Sequence, residues 1–195
     1  MRNHLKKFVV FAGLLSTLLL GVSGSAIADD NHAFPIFRTG VSARALAMGT
    51  AYTAVADDAS AGYWNPAGLT GVEKFSLTTM MSDNMRFDRQ YMYAALAYNF
   101  GTAGWGAFSW VNAGIDNIEE AGVNGPTGNM IDFDQHGFLF SYGNKMNNLH
   151  VGATLKVGYQ KTADYSASGV GFDAGIKYAV GENVFLGVSA RDLGT

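Results

Sequence analysis

The residue types that catalyse reactions or bind metals are present, but their spacing forms no recognised motif. His32, His136 and His150 are far apart and lack the i, i+4 pairing of a zinc-protease helix. The chain has no Cys, which excludes disulfides and Cys-based metal sites. It has no G-x-S-x-G sequence, and no helical pattern follows the Gly-rich stretch 101–106. The sequence therefore predicts a protein that is not an enzyme and holds no cofactor.

Three charged residues near the end of the chain are predicted to form a row. Turns centred near 164–165 and 181–183 would place both Lys156 and Arg191 opposite Asp173 on neighbouring strands. One interpretation is that the row holds another segment of the chain or the headgroup of a ligand. The other is mutual neutralisation in a narrow interior, because buried charge is normally paired.

A second group of candidate residues lies in the segment 29–73, before the first predicted strand. It consists of Asp57, Asp58, Asn65, Pro66 and Gly68. These residues could gate an interior or contact a ligand there. Each also has a local role available, since acidic residues stabilise the start of a helix and Asn-Pro and Gly shape turns.

Composition limits the classes of protein to which these residues can belong. Of the 195 residues, 25 are Gly, 48% are apolar and only 15% are charged. The apolar fraction excludes intrinsic disorder. Acidic residues outnumber basic ones, 16 to 13, which argues against nucleic-acid binding. The composition is compatible with a transmembrane β-barrel and with a soluble β-sandwich.

Residues 1–28 have the pattern of a signal peptide. Arg2, Lys6 and Lys7 precede an apolar stretch, and an A-x-A pattern ends at Ala28. Cleavage is therefore predicted after Ala28. A membrane anchor is the alternative, but the apolar stretch is shorter than the roughly 20 residues that a membrane-spanning helix needs.

The rest of the chain divides into a segment with two short helices, at 42–48 and 57–64, and a region of strands. From residue 74 onward, apolar residues alternate with Gly, Ser, Thr and charged residues, which predicts strands with one apolar face. Seven strands are predicted, at 74–82, 90–100, 103–115, 132–144, 148–161, 168–180 and 184–192.

Strand length and connection length favour a barrel over a sandwich. Most of the predicted strands reach the roughly 9–11 residues that cross a membrane. Short connections alternate with longer ones, including a predicted loop at 116–131, as in outer-membrane barrels. The predicted fold is all-β, an antiparallel transmembrane β-barrel whose N-terminal half is present as about seven strands, with a helical plug at 29–73.

Aromatic residues lie mostly near the ends of the predicted strands. Such positions are typical of the girdles that barrels place at both membrane interfaces, and the alternative is a surface on which a ligand stacks. These residues are Tyr98, Phe100, Trp105, Tyr142, Tyr159, Phe172 and Tyr178.

The sequence ADDAS at 56–60, followed by NPAGL at 65–69, resembles a family signature. It is similar to the N-terminal region of PorV/PorQ-type proteins, relatives of the FadL-type long-chain fatty acid transporters of bacterial outer membranes. The resemblance implies a barrel of fourteen strands with the N-terminal segment as a plug in its lumen. Because seven strands are about half of that number, and the terminal aromatic residue of such barrels is lacking, we expect the chain to be the N-terminal half of a longer protein.

The resemblance also implies a location in the outer membrane, among its lipids, and suggests three functions. The first is passive uptake of hydrophobic small molecules such as long-chain fatty acids. The second is an interaction role in type IX protein secretion, with a secreted protein as the partner. The third is a structural barrel whose lumen stays closed.

The signal-peptide prediction has a direct test. Cleavage after Ala28 leaves a mature chain that begins at Asp29. N-terminal sequencing of the protein purified from cell envelopes should therefore read Asp-Asp-Asn-His. Retention of Met1 in that fraction would instead identify an anchored segment.

Overall fold

A computed structural model describes residues 34–85, 89–123, 125–163, 165–181 and 183–193. The predicted signal peptide and residues 29–33 lie outside the described residues. Within the described part of the chain, no helix is both long and apolar enough to cross a membrane.

Seven strands follow one another in sequence order, and each pairs antiparallel with the next to form a single sheet. The prediction of an all-β, antiparallel architecture is confirmed. The sheet is not closed, and β1 and β7 form its two edges. The strands are β1 (Phe75–Met85), β2 (Arg89–Asn99), β3 (Trp105–Gly122), β4 (Gly125–Met146), β5 (Leu149–Thr162), β6 (Tyr165–Ala179) and β7 (Phe185–Leu193).

The prediction of a long loop at 116–131 is wrong. β3 and β4 continue through most of this stretch and pair as far as Gly122 and Gly125. Two irregularities in the pairing, between Ile115 and Ile118 and between Glu119 and Ala121, interrupt the alternation of side chains. Because a bulge shifts the period-two pattern by one residue, the sequence of this hairpin does not show continuous alternation.

An N-terminal segment, described from residue 34 to 72, covers one face of the sheet. It contains a 3₁₀ helix at Pro35–Arg38, α1 (Ala43–Ala47), α2 (Ala61–Trp64) and a second 3₁₀ helix at Pro66–Gly71. α2 is shorter than the predicted helix at 57–64 because Asp58 accepts a hydrogen bond from the amide of Ser60, which holds a turn before the helix. We call the covered face of the sheet the inner face and the opposite face the outer face.

The two faces of the sheet differ in the size and polarity of their side chains. The inner face carries buried small or polar residues such as Ala95, Ser109 and Thr154, together with buried tyrosines. The outer face carries large apolar side chains that remain exposed, among them Leu96, Phe140 and Phe172. Because strands alternate their side chains between faces, this separation follows from the period-two pattern of the sequence.

Two glycines of the inner face let the N-terminal segment approach the sheet closely. A Cβ atom at Gly152 would lie 2.4 Å from the carbonyl carbon of Pro66, and one at Gly175 would lie 2.0 Å from Oδ1 of Asn65. Any larger residue at either position would therefore displace the second 3₁₀ helix.

We predict that Gly152→Ala destabilises the fold by about 1–3 kcal/mol or more, because the added methyl group overlaps with backbone. Gly114→Ala is the matched control, since its Cβ would meet no atom closer than 3.6 Å. Its effect should stay within about 0.5 kcal/mol. Urea unfolding followed by tryptophan fluorescence measures both variants. Equal stability of the two would show that the segment does not sit against Gly152.

Candidate functional site

The candidate site is the contact between the N-terminal segment and the inner face. Large side chains of the segment are almost fully buried there, including Phe34, Phe37, Tyr52, Tyr63 and Leu69. They pack with inner-face residues such as Tyr93 and Leu139 into one hydrophobic cluster. The N-terminal segment is therefore an integral part of the core.

Asn65 connects three parts of the structure through one buried side chain. Its Oδ1 accepts a hydrogen bond from the amide of Ala67 at 3.1 Å, which caps the second 3₁₀ helix. Its Nδ2 donates to the carbonyl of Thr53 at 2.8 Å and to that of Ile176 in β6 at 3.2 Å. Since Asn65 is completely buried, its polar atoms depend on these partners.

Pro66 and Gly68 shape the 3₁₀ helix that Asn65 caps. Pro66 is its first residue, where a missing amide proton costs nothing. Gly68 donates its amide to the carbonyl of Asn65 at 2.8 Å and packs against the backbone of Ala56. Pro66 thus lies at the contact with the sheet, at Gly152, whereas the contacts of Gly68 stay within the N-terminal segment.

Asp57 and Asp58 lie in a turn before α2, and the hydrogen bonds described for them stay within the N-terminal segment. Asp57 forms an ion pair with Arg44, and both side chains are about half exposed. The hydrogen bond to Asp57 raises the pKa of the Arg44 guanidinium. Asp58 accepts hydrogen bonds from the hydroxyl of Tyr52, at 3.0 Å, and from Ser60. Burial, together with the charge of Asp58, raises the pKa of Tyr52 to about 12. Both carboxylates therefore stabilise the conformation of the N-terminal segment.

The inner face contains a buried charge cluster, which we define as Lys156, Asp173 and Asp192. The Lys156 ammonium lies 2.9 Å from Oδ2 of Asp173 and donates to Oδ1 of Asp192 at 2.6 Å. The amide of Asp192 donates to Oδ1 of Asp173 at 2.8 Å. Lys156 is completely buried, and its ammonium also lies 5.1 Å from the centre of the Phe37 ring. The cluster thus joins three strands and touches the N-terminal segment.

The predicted pairing of Lys156 with Asp173 is wrong by two residues. Lys156 pairs with Gly171 and Asp173 with Thr154, because the hairpin is centred one residue earlier than predicted, with Thr162 opposite Tyr165. The two charged residues still share a face as diagonal neighbours, a separation that a long side chain spans. Their ion pair therefore forms in spite of the different register.

Arg191 is close to the position predicted for it but has different partners. The β6–β7 pairing follows the predicted register from Ala179 to Ala174 and then shifts. At this irregularity Asp192 has a φ of 58°. The Arg191 guanidinium lies over the rings of Trp64, at 5.1 Å, and Tyr63, at 5.9 Å. Asp192 takes the place in the charge cluster that the sequence pattern gave to Arg191.

Further hydrogen bonds join the N-terminal segment to the sheet. The Thr154 hydroxyl donates to the carbonyl of Gly62 at 2.9 Å, and the Lys177 ammonium donates to that of Ala56 at 3.0 Å. The indole of Trp105 donates to the carbonyl of Val72 at 2.7 Å. Only strand alternation in the sequence points to Thr154 and Lys177. The sequence predicts Trp105 in an aromatic girdle, and that expectation is wrong for this residue, because it packs against the core and bonds to the N-terminal segment.

A cavity of about 180 Å³ remains between the first 3₁₀ helix and strands β2 to β4. It lies toward the end of the sheet where the long β3–β4 hairpin projects. Its lining is mainly apolar, with polar groups from Thr39, Tyr91, Gln135 and Arg89. Among the described residues, no group of three His, Asp or Glu side chains is placed to hold a metal ion.

Comparisons with protein-family models, with curated proteins and with solved structures gave no match.

The charge cluster gives a prediction that separates Asp192 from Arg191. A double-mutant cycle between Lys156→Met and Asp192→Asn should give a coupling energy of about 0.5–3 kcal/mol, because the two side chains are in contact. The matched cycle between Asp173→Asn and Arg191→Gln should give about 0.5 kcal/mol or less. Urea unfolding of the single and double variants provides both values. A larger coupling energy between Asp173 and Arg191 than between Lys156 and Asp192 would instead support the row predicted from the sequence.

Proposed function

We propose that this chain forms wall strands and the internal plug of an outer-membrane β-barrel that takes up hydrophobic small molecules. The wall is the seven-stranded sheet, and the plug is the N-terminal segment. In this proposal further antiparallel strands join the β1 edge to the β7 edge, since bacterial barrels have an even number of strands.

The observation that carries the proposal is the distribution of polarity across the sheet. Large apolar side chains are exposed on the outer faces of strands throughout the sheet, while buried charge lies on the inner face. Soluble monomers rarely expose a continuous apolar surface of more than a few hundred Å². A lipid environment for the outer face removes this conflict. The exposed outer-face residues include Leu77, Leu96, Phe108, Phe140, Leu155, Phe172, Ile176 and Val188.

The resemblance to PorV/PorQ-type proteins supports the same proposal. The residues that carry it, at 56–60 and 65–69, lie at or beside the contact with the inner face. Asn65 within this motif bonds both to the segment and to β6. A motif with this role suits a plug that remains in place while a ligand passes beside it.

Uptake is supported by the cavity beside the first 3₁₀ helix. It lies between plug and wall and combines an apolar lining with a few polar groups, as small-molecule sites commonly do. At 180 Å³ it is smaller than most such sites, so we propose that it holds part of an elongated ligand.

A secretion role is the second candidate, and the β3–β4 hairpin favours it. Pairing of β2 with β3 ends at Ile115, and pairing of β4 with β5 ends at Phe133. Beyond these residues the hairpin pairs with no other strand in the described part of the chain, and its four charged residues are all acidic. A projecting surface of this kind suits contact with another protein.

We predict that filling the cavity weakens ligand binding. Ala113 lines it on the inner face, and Ala113→Leu should lower the affinity of the full-length barrel for a fluorescent long-chain fatty acid by about tenfold or more, at about 0.8 kcal/mol for each displaced methylene. Ala153→Leu, on the exposed outer face, should leave the affinity unchanged.

Uptake of the same fatty acid into liposomes that contain the barrel should fall in parallel with binding. If neither variant binds fatty acid, and a protein copurifies instead of lipid, the secretion role replaces uptake. If neither lipid nor protein copurifies and no uptake occurs, the barrel is structural.

A further inference from the structure

The cavity beside the first 3₁₀ helix is lined by a row of inner-face residues in which a small side chain lies between two larger polar ones. Tyr91 of β2 pairs with Ala113 of β3, and Ala113 pairs with Gln135 of β4. Because alanine fills little of the space between its neighbours, the row leaves room between the sheet and the 3₁₀ helix. Arg89, two residues before Tyr91 on the same face, also lines this cavity.

The hydroxyl of Tyr91 is a buried polar group without a partner. Tyr91 is 2% exposed, and its hydroxyl forms no hydrogen bond with any described residue. Two other polar side chains of the cavity wall are already bonded. Gln135 donates its amide to Oε1 of Gln160 at 2.5 Å, and Thr39 donates its hydroxyl to a carbonyl of its own 3₁₀ helix at 3.4 Å. Since an unsatisfied buried donor costs free energy, the Tyr91 hydroxyl is available for an acceptor that enters the cavity.

Tyr93, the next inner-face residue of β2, has the usual arrangement of a buried tyrosine. It is also 2% exposed, and its hydroxyl donates to Oγ of Ser109 at 3.3 Å. Tyr93 is not among the residues that line the cavity. The missing partner of Tyr91 is therefore associated with the cavity and is not a general feature of buried tyrosines in this sheet.

The chemistry of the cavity selects an occupant with an anionic oxygen at one end. A tyrosine hydroxyl donates to an oxygen acceptor, and the guanidinium of Arg89 supplies a positive charge. None of the described residues that line the cavity is acidic, and Ile36, Ile115 and Phe133 provide apolar surface. A cavity of about 150 Å³ holds one benzene molecule. At about 180 Å³, this cavity therefore accommodates a polar end with its first few carbons and not a whole long chain.

We infer that the cavity binds the carboxylate end of the ligand, with the Tyr91 hydroxyl as hydrogen-bond donor and Arg89 as the counter-charge. The inference rests on the proposed function and adds to it a substrate class, the monocarboxylates, and an orientation. The carboxylate lies in the cavity, and the hydrocarbon chain extends out of it. Tyr91 and Arg89 are then the residues that distinguish a carboxylate from an uncharged molecule of the same length.

The test measures how well hexadecanoate and its methyl ester displace a fluorescent long-chain fatty acid from the full-length barrel in detergent. The wild-type barrel should bind hexadecanoate more tightly than the ester. Tyr91→Phe should weaken hexadecanoate binding by about tenfold and ester binding by less, because a hydrogen bond to a charged acceptor is stronger than one to a neutral acceptor. The urea midpoint of the unliganded barrel should stay unchanged or rise, since the substitution removes no internal hydrogen bond.

Tyr93→Phe is the matched control, since it removes a buried hydroxyl from the same face of the same strand. It should lower the urea midpoint, because the bond to Ser109 is lost, and leave both affinities unchanged. Arg89→Gln should weaken hexadecanoate binding by about two- to fivefold at low salt and leave ester binding unchanged, as expected for an exposed charge. Lys161→Gln, which removes an exposed charge from the outer face, should affect neither ligand.

The outcomes separate this inference from the proposed function. If Ala113→Leu weakens hexadecanoate binding and Tyr91→Phe does not, the cavity holds hydrocarbon, and the inference is wrong while uptake stands. A lower urea midpoint for Tyr91→Phe with unchanged affinity would show that the hydroxyl bonds within the protein, and would also overturn the inference. If the wild-type barrel binds neither hexadecanoate nor its ester, the inference and the uptake proposal both fail.

Discussion

The close approach of the N-terminal segment to the inner face is the constraint on which the rest of the structure depends. The segment occupies the space that a second layer would fill in a soluble β-protein. Its backbone reaches the sheet at Gly152, and the side chain of Asn65 reaches it at Gly175. Small side chains are therefore required where the segment comes closest to this face, and the large apolar side chains that the strands expose lie on the opposite face. The composition of each strand follows from this arrangement.

Polar groups enclosed by this contact have partners that connect the segment to the sheet. Asn65 bonds to both, and Lys156 is neutralised by Asp173 and Asp192 while it touches Phe37. A buried charge without a partner is costly, so these pairings favour one position of the segment over others. In the proposed barrel, the same pairings would keep the plug in place while ligand passes through the cavity beside the first 3₁₀ helix.

Alternation in the sequence was sufficient to predict seven strands and their two faces, because side-chain direction in a strand has a period of two. The β3–β4 hairpin was missed because bulges break that period between Ile115 and Ala121. The predicted register between β5 and β6 was wrong because it depends on the residue at which the hairpin is centred, which lies one position earlier than predicted. Asp192 could not be identified from the pattern, since only the irregularity near the end of β7 places it beside Lys156. For Asn65, the sequence indicated a turn but not its bond to Ile176, 111 residues away.

The central claim is that the outer face of the sheet contacts lipid and the inner face contacts the plug. The chain has no Cys, so one introduced cysteine can carry a single nitroxide label. Labels at the five outer-face positions 151, 153, 155, 157 and 159 of β5, in the native outer membrane, would be measured for relaxation by oxygen and by a water-soluble nickel complex. The account predicts strong relaxation by oxygen and weak relaxation by nickel at these positions. Strong relaxation by nickel at the outer-face positions would contradict it.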